Sequence, residues 1–229
     1  MKRIVIIGGS SGIGRELAIL LSEVHRVLLL SRNLEALNQI KQEAGNNLSI
    51  GQLDLQSEKL VQDLDGHLTS DFENFDILIN NAGYLVNKPF IHLTDADIDT
   101  MLSTNVRGLI KSCQVAVPKM NPGGHIVNIG SMGGFQGSAK FPGLSVYSAS
   151  KAAVAALSEC LAAELADRKI ACNCLALGAA QTEMLEKAFP GYQAPVSAQE
   201  MADFIAEFAL SANKWMNGQV IPVAQSNPT

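Results

Sequence analysis

No run of lysine or arginine breaks the sequence, and its formal net charge is −5, which argues against nucleic acid as the main partner. No stretch approaches the eighteen apolar residues of a membrane span. The apolar run near the start, Ile4 to Ile7, is too short for the hydrophobic core of a signal peptide and leads straight into a glycine turn. Cysteine is scarce. Cys113, Cys160, Cys172 and Cys174 form no C-x-x-C pair and sit inside apolar segments, which reads as buried thiols in a reducing compartment. His25, His67, His92 and His125 lack metal-ligand spacing, so no metal site is expected. No G-K-[ST] follows the first glycine-rich turn, which excludes a P-loop. The expectation is a soluble, cytoplasmic protein without membrane or nucleic-acid partners.

What is present is a substantial core. Hydrophobic residues make up 47% of the 229 positions and charged residues 17%, and a chain of this size can bury roughly 70% of its unfolded surface. Short apolar runs alternate with helical patterns from end to end. Strands are expected over 3–7, 26–30, 48–53, 75–80, 124–130, 170–176 and 219–223. Helices are expected over about 12–24, 33–44, 56–70, 94–119, 147–168 and 198–211. Several strands are apolar throughout, as when both sheet faces are covered. The pattern predicts an α/β fold: one doubly wound parallel sheet with helices on both faces, a single domain over 1–229. In such sheets ligands bind beyond the carboxyl ends of the strands, where strand order reverses.

The first such end reads "GGSSGIG", with Gly8, Gly12 and Gly14 between a strand and a helix. This is the context of a dinucleotide fingerprint. Gly8 would allow the tight turn, Gly12 a close approach to pyrophosphate beside Ile13, and Gly14 close helix–strand packing. Ser10 and Ser11 would offer hydroxyls and cap the helix whose positive end faces the phosphates. The second strand ends in Ser31, Arg32 and Asn33 rather than in an acidic residue. Arg32 suits a ribose 2′-phosphate, so NADP(H) is the preferred cofactor and NAD(H) the alternative. A charged hydrogen bond of roughly 1.5–3 kcal/mol corresponds to about a ten- to hundredfold preference.

Tyr147 and Lys151, in "YSASK", stand at i and i+4 on one helix face. Together with "GGSSGIG", "LDLQ", "NNAG", "STNVRG", "IVNIGS" and "CLALGAAQTEM", in that order along nearly the whole chain, they make the sequence resemble the short-chain dehydrogenase/reductase family. The resemblance implies a Rossmann sheet of about seven strands and hydride exchange between nicotinamide and an alcohol or carbonyl. It implies that Asp54, with Leu55 beside it, meets the adenine, and that Asn81, Ala82 and Gly83 lie along the adenosine ribose, while Asn80 ties neighbouring strands. It further implies that the Asn105 carbonyl holds a relay water, that Ser131 orients the substrate oxygen and that Tyr147 is the general acid/base. Lys151 would hold the nicotinamide ribose and tune Tyr147, and Thr182 would contact the carboxamide or phosphates. A lone tyrosine has a pKa of about 10, and lowering it by two to three units needs roughly 3–4 kcal/mol. Lys151, the nicotinamide charge and a dry pocket are expected to supply that, with Ser131 a second donor to the same oxygen.

Three departures from the family pattern stand out. Ile7 replaces the usual Thr, Leu177 the usual Pro, and Ser131 and Tyr147 are spaced more widely than usual because of "FQGSAKF". Ser138 in that insert is a weaker candidate for the role of Ser131. Pocket walls are expected from 83–87, 132–135, 141–144 and 183–195, the last acting as a short lid. They are mostly apolar, with Lys88, Lys140 and Lys187 the only nearby cations, which favours a neutral aldehyde or ketone over a carboxylate or acyl-carrier substrate. The resemblance also implies a homodimer or homotetramer. The alternatives are an NAD-linked dehydrogenase, or a catalytically silent NADP-sensing or scaffold protein.

Overall fold

A computed structural model of the chain describes residues 1–225. The apolar runs form seven strands of one sheet: β1 (Arg3–Ile7), β2 (Arg26–Ser31), β3 (Leu48–Gln52), β4 (Phe75–Asn80), β5 (Met120–Ile129), β6 (Ala171–Leu177) and β9 (Val220–Val223). All pair in parallel, in the order β3-β2-β1-β4-β5-β6-β9. Two further two-residue strands, β7 (Ala180–Gln181) and β8 (Val196–Ser197), pair with each other outside it. Alternation along each strand divides the core. Ile4 and Ile6 join one apolar layer with α1 (Gly12–Ser22), α2 (Leu34–Ala44) and α8 (Ala198–Ser211), while Val5 and Ile7 join the opposite layer. That second layer is supplied by α3 (Leu60–Asp71), α5 (Leu109–Ala116) and α6 (Ser145–Glu164). Each fully buried aliphatic side chain contributes about 1.5–3 kcal/mol.

The sequence pattern misplaces some boundaries, for local reasons. The helix expected from 56 begins at Leu60, because the Asp54 carboxylate accepts from the Gln56 amide and holds a turn first. The strand expected from 124 begins at Met120, with a register shift between the Phe75 and Ile77 pairings. The single helix expected over 94–119 is four segments: α4 (Asp95–Leu102), a π-helical turn over Ser103–Gly108, α5, and a 3-10 turn over Val117–Lys119. A six-residue helix, α7 (Glu183–Ala188), lies in the expected lid. Strand order reverses between β1 and β4, so Gly8 and Asn81, which follow them, flank the switch point.

Candidate active site

The turn after β1 is shaped by two glycines. Gly8 has φ +92°, and a Cβ there would fall 2.3 Å from Ala82 Cα. A Cβ on Gly14 would lie 2.2 Å from the Gly8 carbonyl oxygen, so only glycine lets α1 start this close to β1. The Ile7 carbonyl accepts from the amides of Asn81 (2.9 Å) and Ala82 (2.7 Å), and Asn81 Nδ2 donates to the Gly8 carbonyl. Backbone and amide thus join the two turns where the family pattern would use a Thr hydroxyl. Ser11 is the residue before α1, but its hydroxyl makes no capping bond, contrary to expectation. Its extended backbone (φ −161°, ψ 174°) leaves Ser11 lining the cavity instead.

That cavity has a volume of about 900 Å³ and runs from Ser11, Gly12 and Ile13, past Asn81 and Gly83, to Ser131, Tyr147, Lys151 and Thr182. Thr182 caps α7, its Oγ1 accepting from the Leu185 amide at 3.2 Å, and its methyl faces Gly12. All four segments expected as walls contribute, through Leu85, Met132, Phe141 and the stretch from Met184 to Pro195. The sequence reading missed the contribution of Val223 to Gln225. Leu177, in place of Pro, does not loosen its turn, because the Gly178 amide donates to Val223 O at 2.8 Å.

Tyr147 and Lys151 rise from the first turns of α6, and Ser131 follows β5. Lys151 is 4% exposed, and its Nζ donates to the Ile129 carbonyl at 2.7 Å and lies 5.9 Å from the Tyr147 ring centre. Burial lowers Lys151 to about 8, leaving it mostly protonated at neutral pH. Burial also raises Tyr147 above its ordinary value, and a hydrogen bond from Ser131 draws it back only in part. The expected lowering of Tyr147 is therefore absent from the protein alone. The ammonium is held by the Ile129 carbonyl and not by the phenol, so desolvation outweighs it. Ser131 Oγ accepts from the Gly133 amide at 3.1 Å, which leaves its own proton to donate. Ser138 is held away from this group: its hydroxyl donates to the carbonyls of Met132 and Phe135, and Lys140 donates to it at 2.9 Å.

Asn105 lies in the π-helical turn, 1% exposed. Its Oδ1 accepts from the Tyr84 amide (2.7 Å), and its Nδ2 donates to Tyr84 O and to Ser150 Oγ, both at 2.9 Å. Ser150 in turn donates to the Tyr147 carbonyl at 2.7 Å. The Asn105 side chain thus ties the segment after β4 to the turn carrying Tyr147, a link the sequence reading did not identify. Deeper in the sheet Asn80 ties β4 to the neighbouring β5, as expected, by donating to Asn128 (2.8 Å); the onward bond from Asn128 to Ser158 of α6 (2.9 Å) was missed. Asparagines inside the apolar strands "FDILIN" and "HIVNIG" were the available signal, since buried amides need partners.

The remaining predicted residues lie beyond the first turn, at the ends of β2 and β3. Asn33 Oδ1 caps α2 through the Ala36 amide (3.1 Å). Ser31 is half-buried and Arg32 exposed, and the Arg32 guanidinium has no carboxylate partner among the described residues. Asp54 is exposed, and Leu55 packs beneath it against Gly108. A dinucleotide suits this set. Backbone at Gly12, beside Ser11 and Ile13, opens onto the cavity that Tyr147 and Thr182 also line.

Comparisons with known proteins agree with this geometry. Residues 2–193 match the family described as short chain dehydrogenase. The chain is 36% identical over 186 residues to carbonyl reductase family member 4 of Xenopus tropicalis, covering 80% of this chain and 77% of the relative. It is 34% identical over 185 residues to a 3-oxoacyl-[acyl-carrier-protein] reductase of Mus musculus, covering 80% and 77%. A short chain dehydrogenase from Burkholderia cenocepacia J2315, solved in complex with NADP, superposes with a TM-score of 0.88 at 27% identity, covering 99% of this chain and 97% of that one.

Proposed function

Because the chain belongs to the short-chain dehydrogenase/reductase family, we propose that it is an NADPH-dependent carbonyl reductase with Tyr147 as its proton donor. The observation that carries the reading is the placement of Ser131, Tyr147 and Lys151 together on the lining of one cavity. A protonated phenol beside a second hydroxyl donor is placed to give a proton to a ketone or aldehyde oxygen.

When bound, the nicotinamide supplies the hydride. Ser131 Oγ donates a hydrogen bond to the carbonyl oxygen as negative charge develops there. Tyr147 Oη then gives up its proton to that oxygen, completing the alcohol. The Lys151 ammonium stabilises the phenolate left behind, and solvent returns the proton through water on the Asn105 carbonyl. The Asn105–Ser150–Tyr147 hydrogen bonds fix the turn that aims the phenol. Arg32, exposed and without a carboxylate partner among the described residues, supports a 2′-phosphate contact and hence NADPH over NADH.

The segment 183–195 serves as the lid. The β7–β8 pairing tethers its two ends, and Asn87 Nδ2 holds it across the cavity mouth through Ala188 O at 2.9 Å. A homodimer or homotetramer in the cytoplasm completes the reading. Its support is the exposed side of α6, where Ala149, Ala152, Ala153, Ala156, Cys160 and Ala163 present a flat apolar strip. No described helix is long and apolar enough to cross a membrane. The deciding experiment follows absorbance at 340 nm with NADPH and NADH against aldehydes, ketones and diketones. Substrate-dependent oxidation favouring NADPH is expected. Tight NADPH binding with no oxidation of any carbonyl would instead favour a silent sensor.

A further inference from the structure

We propose that the substrate is a free, uncharged, largely apolar carbonyl compound, and that carboxylates and thioesters on an acidic carrier protein are excluded by charge. This deepens the carbonyl-reductase reading and rests on it. Ser131 and Tyr147 mark the reacting end of the cavity, to which Leu85, Phe141, Leu144, Met184, Leu185 and Phe189 contribute apolar lining from three separate stretches of chain, while the polar side chains of the lid that line it, Tyr192 and Gln193, are uncharged. Among the described residues, Lys151 is the only charged side chain lining it, and its Nζ is buried and engaged by the Ile129 carbonyl. A carboxylate entering with the carbonyl would lose its water and find no cation.

The rim offers no substitute. Lys88 is paired with Asp97 (Nζ to Oδ2, 2.5 Å), and that ammonium, with the Thr94 amide and hydroxyl, holds the Asp97 carboxyl down at about 2. Lys140 Nζ donates to the Phe135 carbonyl at 2.6 Å and to Ser138. Lys187 shares the short α7 with Glu183 and Glu186, so the lid helix presents more acid than base. An acidic carrier docking on the lid would meet the net negative charge of α7. The mouse relative is by its name a 3-oxoacyl-[acyl-carrier-protein] reductase, and this chain differs from it in substrate class.

The test uses matched aryl ketones with the same reacting centre, methyl 4-acetylbenzoate and 4-acetylbenzoate, each measured with NADPH and each titrated calorimetrically into the protein saturated with NADP+. The ester is expected to exceed the acid at least a hundredfold in kcat/KM and to give a binding isotherm where the acid gives none at millimolar concentration. Acid and ester within tenfold of each other, in turnover or in binding, would overturn the proposal. Ester binding without reduction of any ketone would sink the reductase reading while leaving the apolar, uncharged class standing. Met184→Arg, at a position 41% exposed, supplies the missing cation and is expected to narrow the gap tenfold or more. An unchanged gap in the folded variant refutes selection by charge. A second pair, an acetoacetyl thioester on N-acetylcysteamine and on acyl-carrier protein, should be reduced only as the small thioester; equal turnover of both would also overturn the proposal.

Discussion

Replacing Lys151 with methionine should remove activity and yet stabilise the protein without cofactor. The side chain is 4% exposed, and burial lowers its pKa from 10.5 to about 8. At about 1.4 kcal/mol per unit, holding that charge in the fold costs about 3 kcal/mol at neutral pH. A methionine side chain would fill similar space without the charge, but the Ile129 carbonyl would lose the 2.7 Å donor, at about 1–2 kcal/mol. The net gain of about 1–2 kcal/mol corresponds to a Tm rise of about 2–8 °C for a chain of this length. The sign with pH follows from the lowered folded value. Between about 8 and 10.5 the unfolded chain binds more protons, so the Lys151 penalty is full below 8 and fades as pH rises. Buried thiols act oppositely: Cys113, pushed up to about 12, and Cys174, to about 11, give stability that is lost as pH rises above 9. Cys113 is common to both proteins and cancels in the difference, whereas Cys174 feels the Lys151 charge, which lowers it, so the difference reads Lys151 together with its coupling to Cys174. Thermal melts without NADPH at pH 7, 8, 9 and 10 read it. A Lys151→Met protein that melts lower at pH 7, or a gap that does not shrink towards pH 10, would refute the reasoning.

Tyr147→Phe should lower kcat by a thousandfold or more while leaving the NADPH dissociation constant within about threefold; substantial residual reduction would remove the proton-donor assignment. Arg32→Ala should raise the NADPH dissociation constant ten- to hundredfold and that of NADH little, and equal losses in fluorescence titrations would count against a 2′-phosphate contact. His125, fully buried between Ala209 O and Asn173 Nδ2 (both 3.0 Å), is lowered by burial to about 4. Its contribution of about 3 kcal/mol is complete above pH 6.5 and is lost as pH falls through 4. Denaturant midpoints from pH 7 to 4 should therefore fall more steeply for the wild type than for His125→Gln, and parallel curves would contradict this. Ala153→Glu, on the exposed strip of α6, should shift the scattering mass towards the monomer; an unchanged oligomer would place the subunit contact elsewhere.

Much of the fold is local and therefore legible. β1 and β4 fall where the apolar runs predict them, because such runs suit strands covered on both faces. The glycines after β1 sit where a tight turn and a close helix need them, since no other residue tolerates the φ of Gly8 or the approach at Gly14. The residues following β1, β4 and β5 converge on one cavity with Tyr147 and Lys151 because parallel order puts strand ends together.

The rest depends on partners distant in sequence. The π-helical turn at Ser103–Gly108 could not be read from a pattern that continues as an α-helix, and there Asn105 meets Ser150, forty-five residues on. His125 finds Ala209 across eighty-four residues, and Asn128 finds Ser158 across thirty. Ser138, equivalent to Ser131 as a hydroxyl in the sequence, is fixed by carbonyls of its own loop. The direction of the Tyr147 shift is the clearest case. Spacing puts an ammonium one turn away, but desolvation is set by every atom packed around the phenol, and only the assembled structure shows that burial wins. Local pattern along the chain thus specifies which groups meet at the switch point. Their charge states and hydrogen-bond partners come from the folded whole, because burial and long-range contacts exist only once distant segments have packed together.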